Sequence, residues 1–96
     1  MPQVRFSKRA VLDLKRLREF LRPKSQAAAR RANAAIIRSI QVLSRHPGFG
    51  RPLQHMPDGY YEFLISFGNA GYIVRYRHKN NEMVIWLVRH QKDTPQ

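Results

Sequence analysis

A chain of 96 residues, 43% apolar and with only five glycines, is read as one globular domain over its whole length. It is too short for a second core and too apolar for a disordered tail. The absence of cysteine excludes disulfides, thiolate metal sites and a thiol nucleophile. Eighteen Lys and Arg against six Asp and Glu leave a formal charge of +12, which favours acidic partners: nucleic acid, anionic lipid or an acidic protein.

The first element is "QVRF", Gln3 to Phe6, whose polar-apolar alternation predicts a short half-buried strand. Ser7 follows at an N-cap position, and Ala10, Leu14, Leu17 and Leu21, widened by Val11, form the apolar stripe of a helix that Pro23 ends. Lys8, Lys15 and Arg22, with Arg16 and Arg18, occupy its other face. Ser25 caps a second helix, "QAAARRANAAIIRSIQVLSR", made mostly of strong helix formers. Its stripe runs through Ala29, Ala32, Ile36, Ile40 and Leu43, while Arg31, Arg38 and Arg45 recur every seven residues as a solvated basic ridge. "HPGFGRP" stops it with two prolines and two glycines. No apolar run approaches the roughly 18 residues that span a bilayer, and the opening residues lack the apolar stretch of a secretory signal, so no membrane contact and a cytoplasmic location are expected.

From Tyr60 the period changes to two. "YYEFLISF" puts Tyr61, Phe63, Ile65 and Phe67 on one face, "GNAG" turns the chain, and "YIVRYRH" and "EMVIWLVRH" flank Asn80-Asn81, a pair suited to a type I′ turn. The order is β-α-α-β-β-β, an α+β domain with a helical hairpin packed on one face of an antiparallel sheet. Pairing symmetrically about Asn80-Asn81 sets His78 against Met83, Tyr76 against Ile85, Val74 against Leu87 and Tyr72 against Arg89 on the core face. The other face then carries Ile73 with Val88, Arg75 stacked on Trp86, Arg77 with Val84, and His90 beside Gly71. No further element remains to cover this cationic and aromatic face, which makes it a candidate binding surface.

Several chemistries find no support. His46, His55, His78 and His90 are scattered over four elements, with no metal-ligand spacing, and no cofactor is expected. The six carboxylates form no obvious pair, the serines lie in no nucleophile elbow, and "GFG" lacks the strand and lysine of a phosphate loop. His90 with Arg75, Arg77 or Arg51 is the remaining combination: an imidazole acid/base and guanidiniums on phosphate can cleave RNA without a metal.

Taken together, "FSKRAVLDLKRLREFL", the Ala-rich second helix, "LSRHPGFGRPL", "YYEFLISF", "YIVRY" and "VIWLVRHQKD" resemble the RelE/ParE superfamily of type II toxin–antitoxin toxins, over Val4 to Asp93. The resemblance implies one of two activities. RelE-like members cut mRNA on the ribosome with basic and His or Tyr side chains of the open sheet face; ParE-like members poison DNA gyrase and have no hydrolytic site. Both are held in a toxin–antitoxin hetero-oligomer by an antitoxin with an acidic C-terminal part.

The ParE branch is the nearer one. Gly50-Arg51-Pro52 and the ending Val88 to Asp93 follow its pattern, Ile73 stands where the nucleases carry an arginine, and Pro52 to Phe63 holds none of their lysines. The resemblance therefore implies a toxin whose Arg75, Arg77, Trp86, Arg89 and His90 meet a gyrase target or the antitoxin. The alternatives are a ribosome-dependent endoribonuclease using His90, and a basic nucleic-acid-binding module without toxicity.

Overall fold

Two serines start the two helices, as their positions predict. In the computed structural model, which describes residues 3–68 and 70–92, the Ser7 hydroxyl accepts from the Ala10 N–H at 3.1 Å and opens α1, Lys8–Leu21. Ser25 accepts from the Ala28 N–H at 3.0 Å and opens α2, Gln26–Arg45. Each cap satisfies a backbone donor that the first helical turn leaves free. Between them the Leu21 carbonyl accepts from both the Lys24 and Ser25 N–H groups at 2.9 Å. This tight link folds the helices into a hairpin.

The sheet has five strands: β1 (Gln3–Phe6), β2 (Arg51–Pro52), β3 (Tyr60–Phe67), β4 (Ala70–Lys79) and β5 (Glu82–His90), in the order β1-β5-β4-β3-β2. The meander β3-β4-β5 is antiparallel as predicted, with Asn80 and Asn81 at φ of 54° and 60°, the left-handed conformation that a type I′ turn requires. At the other turn Gly68 has φ 62°, while Asn69 lies outside the described residues, as do Asp93 and the residues after it. The sheet is mixed, however, because β1 runs parallel to β5, and β2 adds two residues that pattern alone did not suggest.

Both helices cover one face. Ala10, Ala32, Ile36, Ile40 and Leu43 pack on Ile65, Tyr72, Val74, Tyr76, Met83 and Ile85, each at most 4% exposed. Tyr76 anchors the segment after α2: its hydroxyl donates to the Pro47 carbonyl at 2.6 Å, and a side chain at Gly50 would run into its ring. Burial pushes the Tyr76 phenol up to about 12. Val11, expected in the apolar stripe of α1, is 54% exposed, and Asp13 takes a buried place instead.

Candidate functional site

The hairpin does not keep one register. Beyond Tyr76–Ile85 it shifts by one residue, so that Arg75 faces Leu87, Val74 faces Val88, Ile73 faces Arg89 and Tyr72 faces His90. Trp86 is the extra residue of a β-bulge. A one-residue slip exchanges faces: Val88, 1% exposed, joins the core, and Leu87 pairs with Arg75 on the other side. The pairings expected for Val74, Tyr72, Ile73 and Arg75 are all corrected by this bulge.

Just past the bulge, α1 takes over the edge of β5 from β1. The Asp13 carboxylate accepts a hydrogen bond from the Val88 N–H at 3.0 Å, with Arg9 3.8 Å away on the same oxygen. The Val88 amide points to the edge of β5 that β1 leaves uncovered after Phe6–Ile85, and a buried N–H there needs a partner.

On the uncovered face, strand alternation lines up Glu62, Arg75 and Leu87 in one row, with Arg51 beyond Glu62 on β2. Arg75 Nε donates to Glu62 Oε2 at 2.8 Å and Arg51 donates to Glu62 Oε1 at 2.7 Å. Burial pushes the Glu62 carboxyl up, but the hydrogen bonds and charges of Arg75 and Arg51 outweigh it and hold the group below the usual carboxylate range. Arg75 is thus committed to Glu62 and does not stack on Trp86. Trp86 packs edge-on against Tyr60, ring centroids 6.4 Å apart, and its buried indole N–H has no hydrogen-bond partner. Arg77, paired with Tyr60 and Val84, and Arg89, paired with Ile73, complete the face. A shallow depression of about 400 Å³ runs beside Phe49, Arg51, Glu62, Leu64, Ile73 and Gln91.

His90 is on the opposite side. The shifted register sets its ring edge-on to the core residue Tyr72, centroids 5.5 Å apart, and its Nδ1 accepts from the Lys92 N–H at 3.0 Å. There it borders a groove of about 690 Å³ whose apolar wall is Leu17, Phe20, Phe67 and Tyr72, with Arg16 at the rim. The expectation that His90 faces out beside Arg75 and Arg77 is therefore corrected: the sheet separates them. Glu62 is the site residue that the sequence reading passed over. Its signal lay in the alternation of "YYEFLISF", which puts Glu62 opposite to Tyr61 and Phe63 and so on the arginine face.

The match to known proteins agrees with this architecture. The profile of the ParE toxin of the type II toxin–antitoxin system parDE matches residues 4–95. The chain belongs to the ParE toxin family. As a family member it is a toxin of a type II toxin–antitoxin system. A relative, Toxin RelE3 of Caulobacter vibrioides, is 35% identical over 91 residues, covering 94% of this chain and 95% of its own. A solved structure, the chromosomal ParDE TA system from P. aeruginosa, superposes with a TM-score of 0.72 over 96% of this chain and 98% of its own; at 15% identity that likeness is one of fold. Among the described residues no group of His, Cys, Asp and Glu is placed to hold a metal ion, and no helix is long and apolar enough to cross a membrane.

Proposed function

We propose that this ParE-family toxin arrests growth by binding a protein target, DNA gyrase, and that a cognate antitoxin with an acidic segment neutralises it. The observation that carries this reading is the separation of His90 from Arg75. A metal-free RNase needs its proton donor and its phosphate-binding guanidinium on one substrate. Here the imidazole borders the α1 groove, and Arg75 and Arg51 are bonded to Glu62 across the sheet. Ile73 adds no cation to the outer face.

The two faces then divide the work. Arg77, Arg89, Trp86 and the Arg75–Glu62–Arg51 row offer the target an aromatic and cationic surface of the kind enriched at protein hot spots. The groove by Leu17, Phe20, Phe67 and Tyr72, rimmed by Arg16 and His90, suits the apolar side of an amphipathic antitoxin segment whose carboxylates offset part of the +12 charge.

Expression of the chain in cells tests the reading. The expected result is growth arrest with broken DNA at gyrase sites and intact messages, relieved by the antitoxin. A second reading, mRNA cleavage on the ribosome, draws on the relative named Toxin RelE3. Mapping of message 5′ ends separates the two, because new ends inside translated messages require a nuclease.

A further inference from the structure

At the linked end of the helical hairpin, a cleft of about 310 Å³ lies between α1 and α2, lined by Arg18, Arg22, Gln26, Ala29, Arg30 and Asn33. Arg18 and Arg22 are one turn apart on α1. Gln26, Ala29, Arg30 and Asn33 fall at i, i+3, i+4 and i+7 on α2, a single stripe that faces them. The small side chain of Ala29 leaves the space between the stripes open. Five of the six lining side chains are hydrogen-bond donors, three of them guanidiniums, and none is a carboxylate.

These arginines have no counter-charge of their own. Among the described residues the ion pairs join Arg5 to Glu82, Arg9 to Asp13, and Arg51 and Arg75 to Glu62; none reaches Arg18, Arg22 or Arg30. Like charges one helical turn apart repel, and three around one cleft leave a concentrated positive field that the C-terminal end of α1, where Arg18 and Arg22 sit, offsets only in part. Gln26 is the first residue of α2, so the positive end of that helix adds to the field. The contrast with the outer face is direct: Arg51 and Arg75 hold an internal carboxylate, whereas the cleft arginines hold nothing from the chain.

We propose that this cleft is a phosphodiester-binding site that grips the backbone of a nucleic acid strand. Guanidiniums fork onto phosphate oxygens, and the amides of Gln26 and Asn33 add neutral donors to the phosphate or its sugar. The cleft has room for a diester with its neighbouring sugar. Arg31, next to Arg30, begins the exposed ridge that continues through Arg38 and Arg45, so a strand leaving the cleft stays in positive potential. The cleft shares no lining residue with the depression on the outer sheet face or with the His90 groove, although the groove borders the same end of α1, and it does not depend on which target the toxin has.

Binding of the full chain to labelled 20-nucleotide single-stranded DNA, duplex DNA and RNA, and separately to inorganic pyrophosphate, tests this across a salt series. The variant R18Q/R22Q/R30Q is compared with R31Q/R38Q/R45Q, which removes the same charge from the ridge. A third variant, Asn33→Asp, places a carboxylate in the cleft without removing any arginine. The expected result is at least a tenfold loss of nucleic acid affinity for the cleft triple, with a salt dependence shallower by about two to three phosphate contacts, since each contributes a slope of about 0.9. The ridge triple is expected to lose less than about threefold, and Asn33→Asp to weaken binding about fivefold. Equal losses in the two triples would mean bulk charge alone and would overturn the site. Pyrophosphate bound as tightly as the nucleic acids would overturn the backbone assignment, and unchanged binding by Asn33→Asp would remove the cleft from consideration.

Discussion

Asp13 and Val88, 75 residues apart, are joined by one hydrogen bond: the carboxylate on α1 accepts from the strand amide at 3.0 Å. That contact ties α1 to the end of β5, where the bulge at Trp86 sets which side chains each side of the sheet shows. With the bulge, Val88 and His90 turn toward the helices and Leu87 and Arg89 toward the open face. Without it, the pairing set by Asn80-Asn81 would continue and exchange them. Replacing Asp13 by Ala leaves a buried N–H without an acceptor and should cost about 1.5–3 kcal/mol in urea unfolding. D13N retains an acceptor oxygen and should lose less. Arg9→Ala should change stability by no more than about 0.5 kcal/mol, because its 3.8 Å pair with Asp13 is largely solvent-exposed on the arginine side. Hydrogen exchange at Val88 should accelerate in D13A and not in R9A.

Glu62 predicts an acid-sensitive contribution. Its carboxyl is held below the ordinary value of 4.5 by Arg75 and Arg51, so the folded state binds its proton less readily than the unfolded chain does. The stabilisation is complete above 4.5 and is lost as pH falls through the lower native value. Glu62→Gln removes that dependence. The stability gap between wild type and E62Q, measured by denaturant titration, should be widest near neutrality and close in acid; a gap that widens in acid would contradict the clamp.

Tyr76 predicts the opposite limb. Its phenol is raised from 10.0 to about 12, so the protein gains stability from the neutral hydroxyl below pH 10 and loses it as pH rises toward 12. Tyr76→Phe should cost about 1–3 kcal/mol at neutral pH, because the Pro47 carbonyl loses its partner, and should flatten the alkaline loss. Gly50→Ala should destabilise by a similar amount or more, since the added carbon meets the Tyr76 ring.

The groove on the α1 side predicts a separation of toxicity from neutralisation. Phe20 is 60% exposed and contributes little to the core, so Phe20→Asp should leave folding and growth arrest intact. It should weaken antitoxin binding at least tenfold, read by titration and by failure of co-expressed antitoxin to rescue growth. Retained rescue would move the antitoxin off this groove.

Most of the fold was legible because its signals are local. Ser7 and Ser25 announce helix starts, Pro23 and "HPGFGRP" announce stops, and Asn80-Asn81 fixes the turn and the first four pairs of the hairpin. What escaped the sequence depends on partners distant along the chain. The bulge at Trp86 carries no Gly or Pro to mark it, and the bond from β5 to Asp13 involves a helix position that reads as ordinary surface. The parallel seat of β1 on β5 and the two-residue β2 are likewise set by tertiary pairing. The error in the site followed directly, since one unmarked residue moved His90 to the other face and left Glu62, once counted among isolated carboxylates, holding two arginines.

The most direct measurement is a gyrase assay in which purified protein and its His90→Ala variant are titrated into DNA supercoiling and cleavage reactions. A toxin that binds gyrase through the outer face should inhibit supercoiling and accumulate cleaved DNA, with His90→Ala acting within about twofold of wild type, since the residue lies on the other side of the sheet. Supercoiling and cleavage left untouched over a wide concentration range, with growth arrest abolished in the His90→Ala strain, would contradict the assignment.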